Sequence, residues 1–301
     1  MNKNRNKGPR MKSQRIFNGI FYPLLILISA ICVLPFLIIL SGSMTDNGVI
    51  LREGFSLIPK QPTLEAYRTL FQNPTSLISG YRVTIIVTAV GTSVGLFLVS
   101  LTGFVLSRKE FTYRNQVSFL IYFTTMFSGG LVPFYYMMCG VLKLKGTLTA
   151  QWMPAVLSPF LIVLMRTFIS SSVPDELCDA AKIDGAGYGT TFTRVVLPLL
   201  KPALAAIGLM LALGYWNDWY RSSLFSSKSN TWSLQFYLYN MVNKANSLNE
   251  LANQVNIVIR DLPTESVKMA MAMLVTGPVL LFYPFVQKYF VAGITVGAVK
   301  G

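Results

Sequence analysis

The sequence predicts an all-α integral membrane protein with six transmembrane helices, and three observations carry that reading. The 301 residues are 52% hydrophobic and only 13% charged, about half the charge of an ordinary soluble domain. Long charge-free stretches recur along the chain, and a helix crossing about 30 Å of hydrocarbon needs roughly 20 such residues. Lys and Arg number 26 against 12 Asp and Glu. Such an excess suits nucleic acid, a membrane surface or the cytoplasmic loops of a membrane protein, and the hydrophobicity selects the last.

The spans follow in order. A basic, polar tail at 1–15 precedes a first span at about 16–41, inside the charge-free run Ile16 to Thr45. A basic head before an apolar core also fits a signal peptide, but the length of the run argues for a retained helix. Pro23 and Pro35 sit near its ends, where neighbouring helices can compensate the lost hydrogen bonds. Further spans are expected at about 82–107, 115–139 and 147–170. The fifth, 202–222, meets Asp218 early but continues through Trp219 and Tyr220, and the sixth covers 266–288 before a tail at 289–301. Lys3, Arg5, Lys7, Arg10, Lys12 and Arg15 all precede the first span, which sets that end in the cytoplasm. Six spans return the C-terminus to the same side. Ser107 to Arg114 and Arg166 to Lys201 are then cytoplasmic, while 42–81 and 223–264 form external loops, with Lys143 and Lys145 also outside. The external loops are too long for turns and carry strand or helix material, such as LQFYLYNMV and SLNELANQVNIVIR, that suits contact with a partner.

Several chemistries are excluded at once. There is no histidine, so neither a His-dependent triad nor a His metal site can be built. Cys32, Cys139 and Cys178 are scattered and odd in number, unlike a disulfide framework or a zinc site. The methionines at 137, 138, 269, 271 and 273 read as packing, and no metal site is expected.

The most informative stretch is the coupling-loop segment 171–201, with Ser171 to Leu204 reading SSVPDELCDAAKIDGAGYGTTFTRVVLPLLKPAL. Pro174 suits a first helical turn, and Asp175 and Glu176 complement the positive end of a helix. Leu177, Ala180, Ala181 and Ile183 supply small or apolar contacts. Gly185 and Gly187 break that helix. A second helix is expected from about Thr190 to Leu197, stopped by Pro198, with Pro202 opening the next span. On the residues alone this is equally a helical hairpin packed on the membrane bundle. Its pattern is more specific. Asp179-Ala180-Ala181, then Asp184-Gly185-Ala186, nine residues, and Val195-Val196-Leu197-Pro198 resembles the EAA loop of permease subunits of binding-protein-dependent ATP-binding-cassette (ABC) importers. The family pattern is Glu-Ala-Ala, a spacer, Gly, nine residues, Ile, any residue, Leu-Pro. Asp179 stands in place of Glu and Val195 in place of Ile.

That resemblance, which extends over nearly the whole chain, implies the type I ABC importer permease fold. It implies that Asp179, Ala180, Ala181, Asp184, Gly185, Ala186, Val195, Leu197 and Pro198 couple the chain to a cytoplasmic ATPase by docking a short helix into its groove. The implied partners are a homologous permease in a heterodimer, two ATPase subunits and an extracytoplasmic solute-binding protein. No Gly-x-x-x-x-Gly-Lys-Ser/Thr occurs, so the chain is not its own ATPase by that route; the resemblance implies that ATP and Mg belong to the partner ATPase, that this chain carries no cofactor and that it is not an enzyme. The basic tail and six spans resemble the carbohydrate-uptake branch, close to the second permease subunit of maltose-type importers. The segment Glu265 to Gly301 is similar to the subgroup handling complex oligosaccharides, including fragments that contain uronic acids. By the same resemblance Val299, Lys300 and Gly301 insert between the ATPases, and Asn243 to Asp261 contacts the binding protein. The location implied is the bacterial plasma membrane.

A substrate path is expected among Trp216, Asn217, Asp218 and Trp219, where an aromatic ring can stack on a sugar and amide or carboxylate can pair with hydroxyls. Tyr135 and Tyr136 divide between that path and the aromatic belt of the membrane interface. Arg82 and Lys268 read as snorkelling side chains, or, with Arg221, as cations that attract an anionic substrate. Rival readings are a channel or secondary transporter, whose intramembrane acid could only be Asp218; a membrane enzyme built on Asp175, Glu176, Asp179 and Asp184; and an importer of a non-sugar solute.

Overall fold

The computed structural model describes residues 10–72, 74–255 and 264–298, with side chains described at 17–72, 74–247, 264–284 and 287. The chain divides into two compact units: Met1–Gln72 with Ala252–Leu274, and Asn73–Leu251 with Val275–Gly301. All named elements among the described residues are helical, and one antiparallel bridge joins Thr45 to Pro62.

In the first unit, α1 runs from Arg10–Ser43 as one helix through Pro23 and Pro35. Its apolar side chains from Phe17 to Leu40 are largely exposed, as expected of a surface that meets lipid or another chain and not water. The chain then turns. Asp46 caps α2 (Asn47–Glu53) by accepting a hydrogen bond from the Gly48 amide at 2.8 Å. Tyr67 of α3 (Glu65–Gln72) donates to Ser43 Oγ at 2.9 Å, and Asn47 Oδ1 accepts from the amide of Glu265, the first residue of α15 (Glu265–Ala298).

The second unit is organised on α4 (Pro74–Ser107), about 50 Å long at 1.5 Å per residue. Val83, Val87, Val99, Phe104 and Leu106 of α4 form one core with Leu161, Ile162, Met165 and Ile169 of α8 (Pro159–Ser172). Ala203, Ile207, Leu211 and Tyr215 of α12 (Lys201–Trp216) complete it. Contact is close because α4 is thin where it meets its neighbours. A Cβ on Gly91 would stand 2.5 Å from the Tyr215 ring. Two polar bridges cross between elements: half-buried Arg166 donates to Ser118 Oγ at 2.9 Å. Gln151 donates to Thr231 O and Ser226 Oγ.

Three of the expected continuous spans are bent or end early. The segment 115–139 is two helices, α5 (Arg114–Met126) and α6 (Leu131–Tyr136), the latter prolonged by a π-turn at Met137–Val141, with 113° between them. Extended Phe127 and a positive φ of 85° at Gly130 make that break. The segment 147–170 is α7 (Thr149–Trp152) with a 3-10 turn at Met153–Ala155, then α8, bent by 49° ahead of Pro159. The fifth helix ends at Trp216, and α13 (Tyr220–Phe225) starts afresh. The external segment LQFYLYNMV is helical, within α14 (Leu234–Val255). Among the described residues, three helices are long and apolar enough to cross a membrane, or up to six if each bent pair is one span.

Candidate functional site: the coupling helix and its clasp

Between α8 and α12 lies α9 (Asp175–Ile183), which buries none of its own side chains. It opens with Asp175 and Glu176 and ends with Lys182, a charge order that favours a helix at both termini. Its end is closed by two backbone bonds, Gly185 N–H to Lys182 O at 3.1 Å and Ala186 N–H to Ala181 O at 2.9 Å. That pair is the Schellman arrangement, which requires a left-handed residue at its corner. Gly185 supplies it, with φ +81°. The glycine of the motif is thus explained by backbone geometry, since nothing lies within 4 Å of where its Cβ would be.

The helix has two faces. Positions 175, 178 and 182 share one side and border a cavity of about 380 Å³ with Phe104, Arg108 and Tyr188. That side is held by three consecutive residues of the loop between α4 and α5. Lys109 Nζ lies 2.8 Å from Asp175, with Arg108 Nη1 at 3.6 Å. Glu110 takes Lys182 Nζ at 3.0 Å and the Tyr188 hydroxyl at 2.6 Å. The hydrogen bond from Lys109 holds the Asp175 carboxyl below its ordinary range, and those from Tyr188 and Lys182 do the same for Glu110. Burial pushes the Cys178 thiol up. On the other side Glu176, Ala180, Ile183 and Asp184 are exposed, Ile183 at 85%. Asp179, which also borders the cavity, makes no ion pair among the described residues.

The second half of the motif is anchored. The next helix starts at Tyr188, two residues earlier than expected, passes through a π-helical stretch at Thr191–Val196 and continues to Leu199. Pro198 does not stop it: Pro198 sits in the first turn of the closing segment Leu197–Leu199, where a missing N–H costs least. Phe192, Val196 and Leu200 are buried, Val195 and Leu197 partly so. Phe192 packs against Phe104 with ring centroids 5.3 Å apart, and the Arg108 guanidinium lies over the Phe104 ring at 5.3 Å. Asp179-Ala180-Ala181 therefore projects, while Val195 to Leu200 grips the core. Leu177 and Ile183, expected to supply apolar contacts, are both exposed among the described residues.

Most of the expected substrate residues have partners within the chain. Asp218 is tied to Arg221: one oxygen lies 2.7 Å from Arg221 Nε and the other accepts from the Arg221 amide at 3.2 Å. Asn217 bonds Leu213 O and Gln235, and Trp216 donates its indole N–H to Val275 O at 3.1 Å. Tyr135 stacks on Phe225, whereas Tyr136 is exposed. Lys268 does not snorkel but pairs with Glu265 at 2.7 Å, and Arg82 is exposed. Trp219, stacked on Tyr239 at 4.2 Å, stays partly open. Asn243 lies in α14 and is exposed; the rest of its expected contact region runs beyond the described side chains, and Val299, Lys300 and Gly301 lie outside the described residues.

Sequence reasoning also missed the clasp. Its signal was present as Arg108-Lys109-Glu110, two cations and an anion directly after a long apolar helix, facing an anion at the start of α9 and a cation at its end.

Residues 100–296 match the description "Binding-protein-dependent transport system inner membrane component". The chain is 34% identical over 290 residues to the polygalacturonan/rhamnogalacturonan transport system permease protein YtcP of Bacillus subtilis (strain 168), covering 95% of this chain and 99% of that one. It is 35% identical over 279 residues to the protein LplC of the same organism, with 91% of each covered. A crystal structure of a bacterial ABC transporter involved in the import of the acidic polysaccharide alginate superposes with a TM-score of 0.79 at 25% identity, over 95% of this chain and 100% of that chain. The chain therefore belongs to the family of binding-protein-dependent transport system inner membrane components: it is an integral inner-membrane permease subunit of an ABC importer, working with an ATPase and a solute-binding protein and not itself an enzyme.

Proposed function

We propose that the chain imports an oligosaccharide, and among oligosaccharides one that carries uronic acids. Support comes from the two names that mention acidic polymers, polygalacturonan/rhamnogalacturonan and alginate, on relatives that align with nearly the whole chain. In this reading the chain pairs with a homologous permease over two ATPase subunits that hold ATP and Mg. Both termini face the cytoplasm, a reading supported by the basic residues before the first span.

The observation that carries the coupling role is the two-faced α9. Exposed Ala180 and Ile183 beside Asp179 and Asp184, which make no ion pair among the described residues, on a helix with no fully buried side chain, form a surface suited to a second protein. ATP binding closes the ATPase dimer, α9 moves with it as a rigid body, and the membrane cavity turns outward to receive cargo. Asn217, Trp219 and Tyr239, with open edges near the end of α12, are the residues placed to meet a sugar; Asp218 and Trp216 support them.

The test is purification of the tagged chain from its native membranes in mild detergent, with mass spectrometry of what accompanies it. Recovery of one ATPase and one homologous permease is expected. Uptake of oligogalacturonate, with maltotriose as the neutral control, by cells with and without the chain then decides the substrate class. Loss of neutral uptake alone would overturn the acidic-sugar reading.

A further inference from the structure

We infer that the Arg108–Glu110 loop is a second mechanical link, a two-post ionic clasp through which movement of α9 reaches the cytoplasmic end of α4. This rests on the reading of α9 as the coupling helix and goes beyond it. The chain connects α9 covalently only to α8 and, through the following helix, to α12. α4 is remote in sequence, yet it is the helix that both of those pack against. A push on α9 that arrived only along the chain would leave α4 to follow passively.

The clasp removes that slack. Its posts grip opposite ends of α9, Asp175 and Lys182, seven residues and so about 10 Å apart along the axis. Two grips at that spacing transmit rotation as well as translation, which one grip cannot. The cation post is rooted in the bundle: Arg108 is 9% exposed, its Nε lies 3.2 Å from Ser107 Oγ, and it covers Phe104, which packs on Phe192. The anion post, Glu110, gathers both Lys182 and Tyr188 and so ties the two halves of the coupling loop to one side chain. No side chain of α9 is fully buried and Cys178 packs partly buried against the core, so these ion pairs add a lateral attachment on either side of that contact. Exposed ion pairs are individually weak, so the clasp holds orientation without locking the helix. Arg108, Lys109 and Glu110 are positioning residues: they touch neither cargo nor nucleotide.

Cys178 sits between the posts and borders the cavity, which gives a reporter that does not depend on transport. The experiment uses the assembled transporter in native membranes, with Cys32 and Cys139 replaced by serine. Alkylation of Cys178 by a maleimide is timed with and without MgATP and vanadate, and ATPase recovery on the tagged chain is measured in parallel. In the parent, nucleotide is expected to change the alkylation rate by about five- to tenfold, the scale of ordinary coupling between sites. In Glu110→Lys the ATPase is still recovered but the nucleotide response falls to near one. Adding Lys182→Glu restores the pair with opposite sign and brings the response back.

A full response in Glu110→Lys, or no rescue in the double variant despite ATPase recovery, overturns the clasp and leaves the coupling reading intact. Failure of the parent to recover any ATPase overturns the coupling reading itself, and the clasp with it.

Discussion

The ring of Tyr215 occupies the space that a side chain on residue 91 would need, with its Cζ 2.5 Å from the ideal Cβ position of Gly91. The tyrosine is fixed from its other end, since its hydroxyl donates to Trp152 O at 3.0 Å. A rigid ring can move aside only by breaking that bond or displacing α12. Gly91→Ala is therefore expected to destabilise the α4–α12 contact by about 1–3 kcal/mol, the usual cost of overpacking. A thermal melt in detergent checks it: Gly91→Ala should lower the midpoint clearly, while Gly214→Ala, with nothing within 4 Å of its Cβ position, should leave it nearly unchanged.

Gly185 poses the opposite case. Its Cβ position is open, so a substitution there meets no atom of this chain and is penalised only through φ +81°. Asparagine tolerates that conformation far better than valine. If the glycine serves the turn alone, Gly185→Asn retains most uptake and Gly185→Val loses it. If the ATPase packs directly on the glycine, both variants fail alike, and the comparison of their uptake rates separates the two.

The Asp218–Arg221 pair predicts structure before substrate. Both side chains are largely buried, at 13% and 17% exposure, and Arg221 also lies over the Tyr215 ring at 5.2 Å. Asp218→Asn leaves a buried guanidinium short of its charge partner, a loss of about 1–3 kcal/mol. Removing both charges with Asp218→Asn and Arg221→Met is expected to recover much of that loss. The expected sign is therefore a poorly expressed single variant and a better expressed double variant; equal expression of all three would return Asp218 to the sugar path.

Much of the architecture was legible because hydropathy and charge clustering record how the chain meets lipid. The Asp179-Ala180-Ala181 to Pro198 pattern stood out only through its resemblance to the EAA loop; the structure adds a local reason for its glycine, the Schellman turn at Gly185, and places Val195 and Leu197 partly buried in the second helix. What stayed hidden was pairwise. The reading of 115–139 as one helix counted apolar residues, and Gly129-Gly130 broke it without adding a charge. Asp218 looked like a free carboxylate because its partner three residues on is found only when α13 restarts after Trp216. The clasp joins residues 108–110 to 175–188, and no local period records a contact at that separation.

The clasp also sets a pH profile. Asp175 and Glu110 are held below their ordinary values of 3.8 and 4.5, first by hydrogen bonds from Lys109 and from Tyr188 respectively. Groups shifted down contribute fully above their unfolded values, and that contribution is lost only as pH falls through the depressed folded values. Lys109 and Lys182 are shifted up from 10.5 by their hydrogen bonds to Asp175 and Glu110. Their contribution is full below 10.5 and is lost as pH rises through the raised values. With no histidine in the chain, nothing in the clasp titrates between about pH 6 and 9. Amide hydrogen exchange across 175–183, corrected for intrinsic rate, should therefore be flat over that range. Salt should act where pH does not, because the pairs are solvent-exposed and screened. Protection is expected to fall on moving from low to high ionic strength at constant pH, and a profile that instead moved with pH and ignored salt would mean that α9 is held by something other than these charges.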